Sequence, residues 1–340
     1  MKDVKFITCC PSNDYYTWQV HLWLESLREL DLSQNAIVLV YEPKLRPYNS
    51  KWDKIKELYP ESEFIFYREK PEEDINLLIS LYIPIIREYL MWTYFTDHPE
   101  EENKPVFFCD SDILFTKDFN ISHLIEDDIN YVSDSVSYMG ATYFDNKVRE
   151  VSQDKLDAFK SKDVFQEILD CVGVSRETAV NNQEHSGGVQ YLFKNCTAAF
   201  GAKVMNDNIV LRLKMQELNT LYFPNQDLGY QSWCSDMWGI LWNLWHFKMP
   251  VKVTKELDFS WATDSIDIVN AKPIFHNAGI TGEMMNNHLC FYKGKYHQGS
   301  DPTKDPALDR IIESEESQKF GTWYYAKKLK ELQLKYNINY

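Results

Sequence analysis

Two aspartates one residue apart, Asp110 and Asp112, close the apolar run Val106-Phe107-Phe108-Cys109 before the chain turns apolar again at Ile113-Leu114-Phe115. A buried strand that delivers Asp-x-Asp at its C-terminal end puts two carboxylates at the mouth of an α/β sheet, where open sheets bind ligands. The two carboxylates repel each other unless a cation sits between them. Hard oxygen ligands suit magnesium or manganese, and such a cation serves best to hold a diphosphate. The pattern points to a nucleotide-diphosphate site. An exposed acidic turn after a core strand is the plain alternative.

Other segments carry residue types that fit such a site. His276 ends a short apolar segment, residues 273–276, and a small-residue turn, Asn277-Ala278-Gly279, follows it. An imidazole there can be the third ligand of the cation, or a histidine packed at a strand end. Downstream, Lys293 and Lys295 sit in a basic, aromatic cluster of an acidic protein. Either can neutralise a leaving diphosphate, or be a plain surface lysine. In Ser186-Gly187-Gly188-Val189-Gln190, paired glycines allow a backbone to approach a ligand closely, and Gln190 can read a sugar hydroxyl. An ordinary turn explains the same residues.

Residues 233–247 are apolar on almost every helical face, which predicts a buried helix. One stripe is exempt: Ser232, Asp236, Gly239, Asn243 and His246. A lone acid on such a helix is costly unless it faces water, a partner or a ligand. The stripe therefore faces a cleft, with Asp236 touching the reacting group, or else solvent. At the N-terminus, Asn13, Asp14, Tyr15 and Gln19 follow the first strand. That loop sits beside base and ribose in nucleotide-binding sheets, with Tyr15 placed to stack and Asn13 or Asp14 to read an edge. Pro11-Ser12-Asn13-Asp14 is also simply a helix N-cap.

The elements that must position these groups are legible from periodicity. Strands are expected over residues 4–10, 36–41, 63–67 and 106–109, with helices over 16–30, 52–58 and 75–95 between them. This order argues for an α/β fold, a mostly parallel central sheet flanked by helices. Beyond the aspartates, residues 144–165 read as a charged surface insertion or an acceptor-side loop. Strands follow at 189–193, 251–254 and 273–276, helices at 198–218 and 233–247, and a charged helical tail over 310–335. The division expected is one domain over residues 1–300 and a helical extension over 301–340.

The chain has 340 residues, 44% hydrophobic, enough for a sizeable core. With only 12 glycines it has neither a dinucleotide fingerprint nor a P-loop. A net charge of -15 disfavours a broad nucleic-acid face, though not a local basic groove. Seven cysteines without paired metal spacing are expected as reduced thiols. Met1 leads straight toward a strand, with no secretory leader and no bilayer-length apolar run. A cytoplasmic protein off the membrane is expected.

Taken together, the loop Cys10-Pro11-Ser12-Asn13-Asp14, the Phe108-Cys109-Asp110-Ser111-Asp112 segment, Ser186-Gly187-Gly188-Val189-Gln190, Ser235-Asp236-Met237-Trp238 and Phe275-His276-Asn277-Ala278-Gly279 resemble the GT-A nucleotide-sugar glycosyltransferases. Within them the chain looks similar to the hydroxyproline O-arabinosyltransferase-like group, which has Asp-Pro-Asp where this chain has Asp110-Ser111-Asp112. The layout also resembles bacteriophage enzymes that put sugars on hydroxymethylated cytosine in DNA. The resemblance implies a GT-A fold and a nucleoside-diphosphate sugar donor, a UDP-sugar by expectation, carrying a pentose or hexose. It implies a divalent metal, Mn2+ or Mg2+, on Asp110, Asp112 and His276. It puts Asp110 and Ser111 on the nucleotide, and Ser186, Gly187, Gly188, Gln190 and Gly279 around the donor. Lys293 is expected on the diphosphate; the chain departs from some relatives in lacking a lysine closer to the histidine motif. Asp236 is expected as base or as stabiliser of a cationic sugar. The acceptor expected is 5-hydroxymethylcytosine in DNA, with a protein or glycan as the alternative. Readings of another class are a sugar nucleotidyltransferase and a non-catalytic carbohydrate-binding protein.

Overall fold

The computed structural model describes residues 1, 3–70, 74–75, 78–79, 82–116, 118–225, 227–287 and 289–340. Along the chain run β1 (Lys5–Pro11), α1 (Asp14–Arg28), β2 (Ala36–Glu42), α2 (Lys51–Leu58), β3 (Glu63–Arg68), α3 (Ile85–Asp97), β4 (Val106–Cys109), β5 (Ile113–Phe115), β6 (Asn130–Val132), β7 (Tyr191–Phe193), α4 (Ala198–Tyr222), α5 (Ser235–His246), β8 (Val251–Val253), β9 (Phe259–Trp261), β10 (Ile274–His276), α6 (Pro306–Glu313) and α7 (Gly321–Tyr336). The fold is α/β, and two compact units divide it.

The first unit holds Met1–Pro71, Cys109–His123 and Glu256–Tyr340. Its strands β1, β2 and β3 are all parallel, with Phe6 opposite Ala36 and Ile37 opposite Glu63. Parallel strands are covered on both faces, which is why β1 and β2 are continuous apolar runs. Helix α1 is buried along most of its length, including Trp18, Trp23 and Leu27. Asp14 in its first turn complements the helix dipole. A second sheet runs β5-β10-β9: β10 is antiparallel to β5 and parallel to β9. Residues 301–340, expected as a separate extension, belong to this same unit. Glu25 explains part of that: its carboxylate accepts from Tyr59, Lys335 and Tyr336, so α7 is tied to α1.

The second unit holds Glu72–Phe108 and Leu124–Lys255. In it β7 pairs antiparallel with β4 and with β6, and β6 pairs parallel with β8. Thr197 caps α4 by accepting from the amide of Phe200. Helix α5 is buried nearly throughout, Trp238 and Trp242 included.

Several expectations are corrected here. The helix expected over 75–95 is helical at residues 75 and 78–79 and again over Ile85–Asp97, which opens after Pro84. Proline suits a helix start; the residues before it lie partly outside the described ones. The supposed surface insertion at 144–165 is a set of short helices whose Phe144, Phe159 and Phe165 are buried. Phe144 and Phe165 stack at 4.5 Å, so sparse aromatics supply the burial that aliphatics do not. Val189, expected in a strand, has φ +79°, and the strand starts at Tyr191. The middle of the polar stripe of α5, Gly239 and Asn243, faces neither solvent nor a cleft. Asn243 donates to Asp207 at 2.9 Å. The space a Gly239 side chain would take is filled by Asn208, 1.6 Å from that point. There the stripe is polar because α4 packs the polar Asp207 and Asn208 against it; His246 alone of the stripe's residues is exposed.

Candidate functional site

In the first unit the antiparallel ladder sets His276 opposite Ile113, the residue after Asp112. The amide of Asn277 then donates to the carbonyl of Asp112 at 3.0 Å. Two segments distant in sequence are thus locked where the first leaves its aspartates and the second ends in its histidine. Nε2 of His276 lies 3.5 Å from Oδ1 of Asp112 and 3.7 Å from Oδ2 of Asp110. One ligand atom from each of the three residues falls within 4.8 Å of the others. Asp112 and His276 are buried and Asp110 is half-buried. Two carboxylates and an imidazole on one point are a donor set that fits Mn2+ or Mg2+. A cation on that point would offset the repulsion between the two carboxylates.

Lys293 joins this cluster by donating to Oδ2 of Asp112. Burial alone would push the Asp112 carboxyl up; the Lys293 ammonium and the His276 imidazole outweigh it and hold that carboxyl well below the usual range. The nearby phenols show the opposite effect. Burial first, then the Asp112 charge, raises Tyr15; burial, Cys10 and the two aspartates raise Tyr16. Tyr16 was not singled out in the sequence, where one tyrosine of 21 carries no signal. Ser111 is buried between the aspartates. Gly279 has φ +90°, a conformation that favours glycine, so the turn after His276 needs it.

The loop after β1 departs from expectation. Both Asp14 oxygens are engaged, by Asn49 at 2.9 Å and by Lys51 at 2.5 Å. Tyr15 is 4% exposed, packed edge-on to Trp18 and 4.3 Å from the His297 ring. Its ring is core, so it is not free to stack on a base. Gln19 is buried and donates to the carbonyl of Tyr15 at 2.7 Å, a packing role. Asn13 is the residue still open to a ligand. It lines a polar cavity of about 610 Å³ together with Asp14, Arg46, Tyr48, His297 and Gln298.

In the second unit, Ser186 and Gln190 are buried. Oε1 of Gln190 accepts from Ser133 at 2.5 Å, while its Nε2 has no hydrogen-bond partner among the described residues. A side chain at Gly187 would meet the carbonyl of Ser133 at 2.2 Å, and one at Gly188 would meet Met139 and Tyr191 at 2.9 Å. The glycines are required by the protein's own packing. Asp236 is buried; Tyr82 donates to its Oδ1 at 2.6 Å and Arg87 approaches its Oδ2 at 3.3 Å. Those partners were invisible in the sequence, lying about 150 residues upstream.

The local basic clusters are less cationic than their sequence implies. Lys295 pairs with Asp305, Lys327 with Glu331, Lys328 with Glu29 and Lys330 with Asp309. All seven cysteines are free thiols. No helix among the described residues is long and apolar enough to cross a membrane.

No protein-family model and no curated protein matches the chain. Solved structures give low-identity likenesses. A galactosyltransferase, LgtC, in complex with donor and acceptor sugar analogues is 13% identical, with 81% of this chain and 87% of that one covered and a TM-score of 0.38. Core-mannan synthase A from Aspergillus fumigatus in its Mn/GDP form is 10% identical, covering 72% and 70%, with a TM-score of 0.31. Mouse xyloside xylosyltransferase 1 in its apo form is 12% identical, covering 81% and 97%, with a TM-score of 0.34.

Proposed function

We propose that this chain is a metal-dependent glycosyltransferase of GT-A type, moving a sugar from a nucleoside-diphosphate donor to an acceptor hydroxyl. The observation that carries the proposal is the convergence of Asp110, Asp112 and His276 on one cation-sized point. A divalent cation held by these three would supply Lewis-acid stabilisation of the leaving diphosphate. Lys293, already beside Asp112, supplies a second positive charge for the same diphosphate. Asn13 is the proposed contact to the nucleotide from the loop after β1, and Gln190, with its spare amide, a proposed contact to a sugar hydroxyl. Asp236, its two oxygens oriented by Tyr82 and Arg87, is the proposed carboxylate of the transfer step. The acceptor oxygen bonds to the anomeric carbon, the bond to the diphosphate breaks, and the hydroxyl proton passes to a base.

The donor proposed first is a UDP-sugar, and the acceptor proposed first is 5-hydroxymethylcytosine in DNA, both on the resemblance of the motifs. A protein or glycan acceptor is the second reading. The pairing of Lys295, Lys327, Lys328 and Lys330 with acids favours it, because phosphate contacts need unpaired cations. A sugar nucleotidyltransferase needs a cationic, glycine-rich loop after β1, where this chain has Pro11-Ser12-Asn13-Asp14. The test is donor hydrolysis across a panel of nucleotide sugars, with and without manganese. Metal-dependent release of a nucleoside diphosphate supports transfer. Release of pyrophosphate from a nucleoside triphosphate supports the nucleotidyltransferase, and no turnover supports a binding protein.

A further inference from the structure

His276 is buried, yet its Nδ1 has no hydrogen-bond partner among the described residues. This is unusual for a ligand candidate. Metal-binding histidines almost always give their other ring nitrogen to a carboxylate, carbonyl or water, which fixes the plane of the ring. Here another group occupies that office. Trp261 lies directly opposite His276 in the parallel β9–β10 ladder. Side chains opposite each other on neighbouring strands stand on the same face. The two rings stack, with centroids 5.4 Å apart and planes 25° apart. Phe259, two residues earlier on the same strand, meets the imidazole at 5.9 Å.

Trp261 is itself pinned. Its amide donates to Oδ2 of Asp264 at 2.7 Å, and its carbonyl accepts from the amide of Asp264 at 3.1 Å. The carbonyl of Asp264 in turn accepts from Gly321 at 2.8 Å. These bonds fix the Trp261 backbone, and the Phe259 ring packs edge-on to its indole with centroids 4.7 Å apart.

We infer that Trp261 is a positioning residue: its indole face holds the His276 ring with Nε2 turned to Asp110 and Asp112, in place of a hydrogen bond at Nδ1. The inference rests on the reading of these three residues as cation ligands. Its chemistry is directional. An imidazole that gives its lone pair to a cation becomes electron-poor, and an indole face is electron-rich, so the stack strengthens when the cation is bound. A leucine of similar reach fills the space without the π face, whereas phenylalanine retains one.

The test measures manganese affinity of the full-length chain in the presence of UDP, by electron paramagnetic resonance of free manganese. Wild type, Trp261→Leu, Trp261→Phe, His276→Ala and Trp261→Leu/His276→Ala are compared, with melting curves beside them. Trp261→Leu is expected to weaken manganese about 10- to 100-fold, the range for lost outer-shell partners, and Trp261→Phe to restore most of it. In the double variant Trp261→Leu is expected to cost nothing beyond His276→Ala, because its effect passes through that ring. Wild-type affinity in Trp261→Leu, or additive losses in the double variant, overturns the inference and leaves the cation site standing. Wild type that binds no manganese at all removes the cation reading itself.

Discussion

The Lys293 ammonium donates to Oδ2 of Asp112, although 181 residues separate them in the chain. The same carboxylate faces Nε2 of His276 through its other oxygen. Asp112 is thus the shared partner of a lysine and of a candidate cation, and the two compete for it. Lys293→Met is expected to raise manganese affinity in the absence of nucleotide by about tenfold, the scale of one charged hydrogen bond. The same variant should lower turnover, because the leaving diphosphate loses a positive neighbour. Calorimetry without nucleotide checks the first effect; unchanged or weaker manganese binding would show that Lys293 does not compete.

Asp236→Asn is expected to hold donor affinity within a few-fold and lower turnover by roughly 10² or more, the scale of a lost base or charge stabiliser. Arg87 then loses its ion pair with Asp236, so some stability is lost too. Steady-state kinetics paired with melting curves separates the two. A lowered melting temperature with unchanged turnover would make Asp236 a partner of Tyr82 and Arg87 and nothing more.

The tie between α1 and α7 gives a pH dependence. Burial pushes the Glu25 carboxyl up, but hydrogen bonds from Lys335, Tyr59 and Tyr336 outweigh it and hold it below the usual value. A carboxyl depressed in the folded state adds stability above its unfolded pKa, and that stability is lost as pH falls through the folded value. Glu25→Gln should therefore lower the melting temperature by a few degrees at pH 7. The gap from wild type should close as pH falls below about 4, where the unfolded carboxyl protonates. A gap that stays constant from pH 7 to pH 3 would contradict this account of α7 docking.

Gly187→Ala is expected to destabilise more than Gly188→Ala. The first added methyl meets the Ser133 carbonyl at 2.2 Å, a backbone atom; the second meets Met139 Sδ and the Tyr191 hydroxyl at 2.9 Å, ends of side chains. Overpacking costs typically about 1–3 kcal/mol, and less where the neighbour can move. Chemical denaturation of both variants gives the order. The reverse order would mean that the turn adjusts and the glycines serve another purpose.

What the sequence disclosed, and what it withheld, follows from the range of each signal. The buried strands β1, β2 and β4 are largely apolar runs, of Phe, Ile and Cys in β1, of Ile, Val and Leu in β2 and of Val, Phe and Cys in β4, and their local pattern is enough. Strands β5, β6 and β9 were not assigned from the sequence, so the second sheet that aligns His276 with Asp112 went unseen. Asp110, Asp112 and His276 were legible as candidate ligands because chemistry limits which residue types hold a hard cation. Their convergence, and the Trp261 stack, depend on ladder register between distant segments. Tyr15, Asp14 and Gln19 show the converse. Their residue types suit a nucleotide, but Trp18, Lys51 and the Tyr15 carbonyl had already claimed them. Gly239 and Asn243 of the α5 stripe misled for the same reason: a buried polar partner on α4 leaves no mark in the sequence of α5 itself.

The central claim is that Asp110, Asp112 and His276 hold a divalent cation for a nucleoside-diphosphate donor. Calorimetric titration of manganese and UDP into wild type and Asp112→Ala tests it most directly. The account expects manganese-dependent UDP binding by wild type and its loss in Asp112→Ala, with unchanged far-ultraviolet circular dichroism. Asp112→Ala that binds manganese and UDP like wild type would contradict it and place the site elsewhere in the chain.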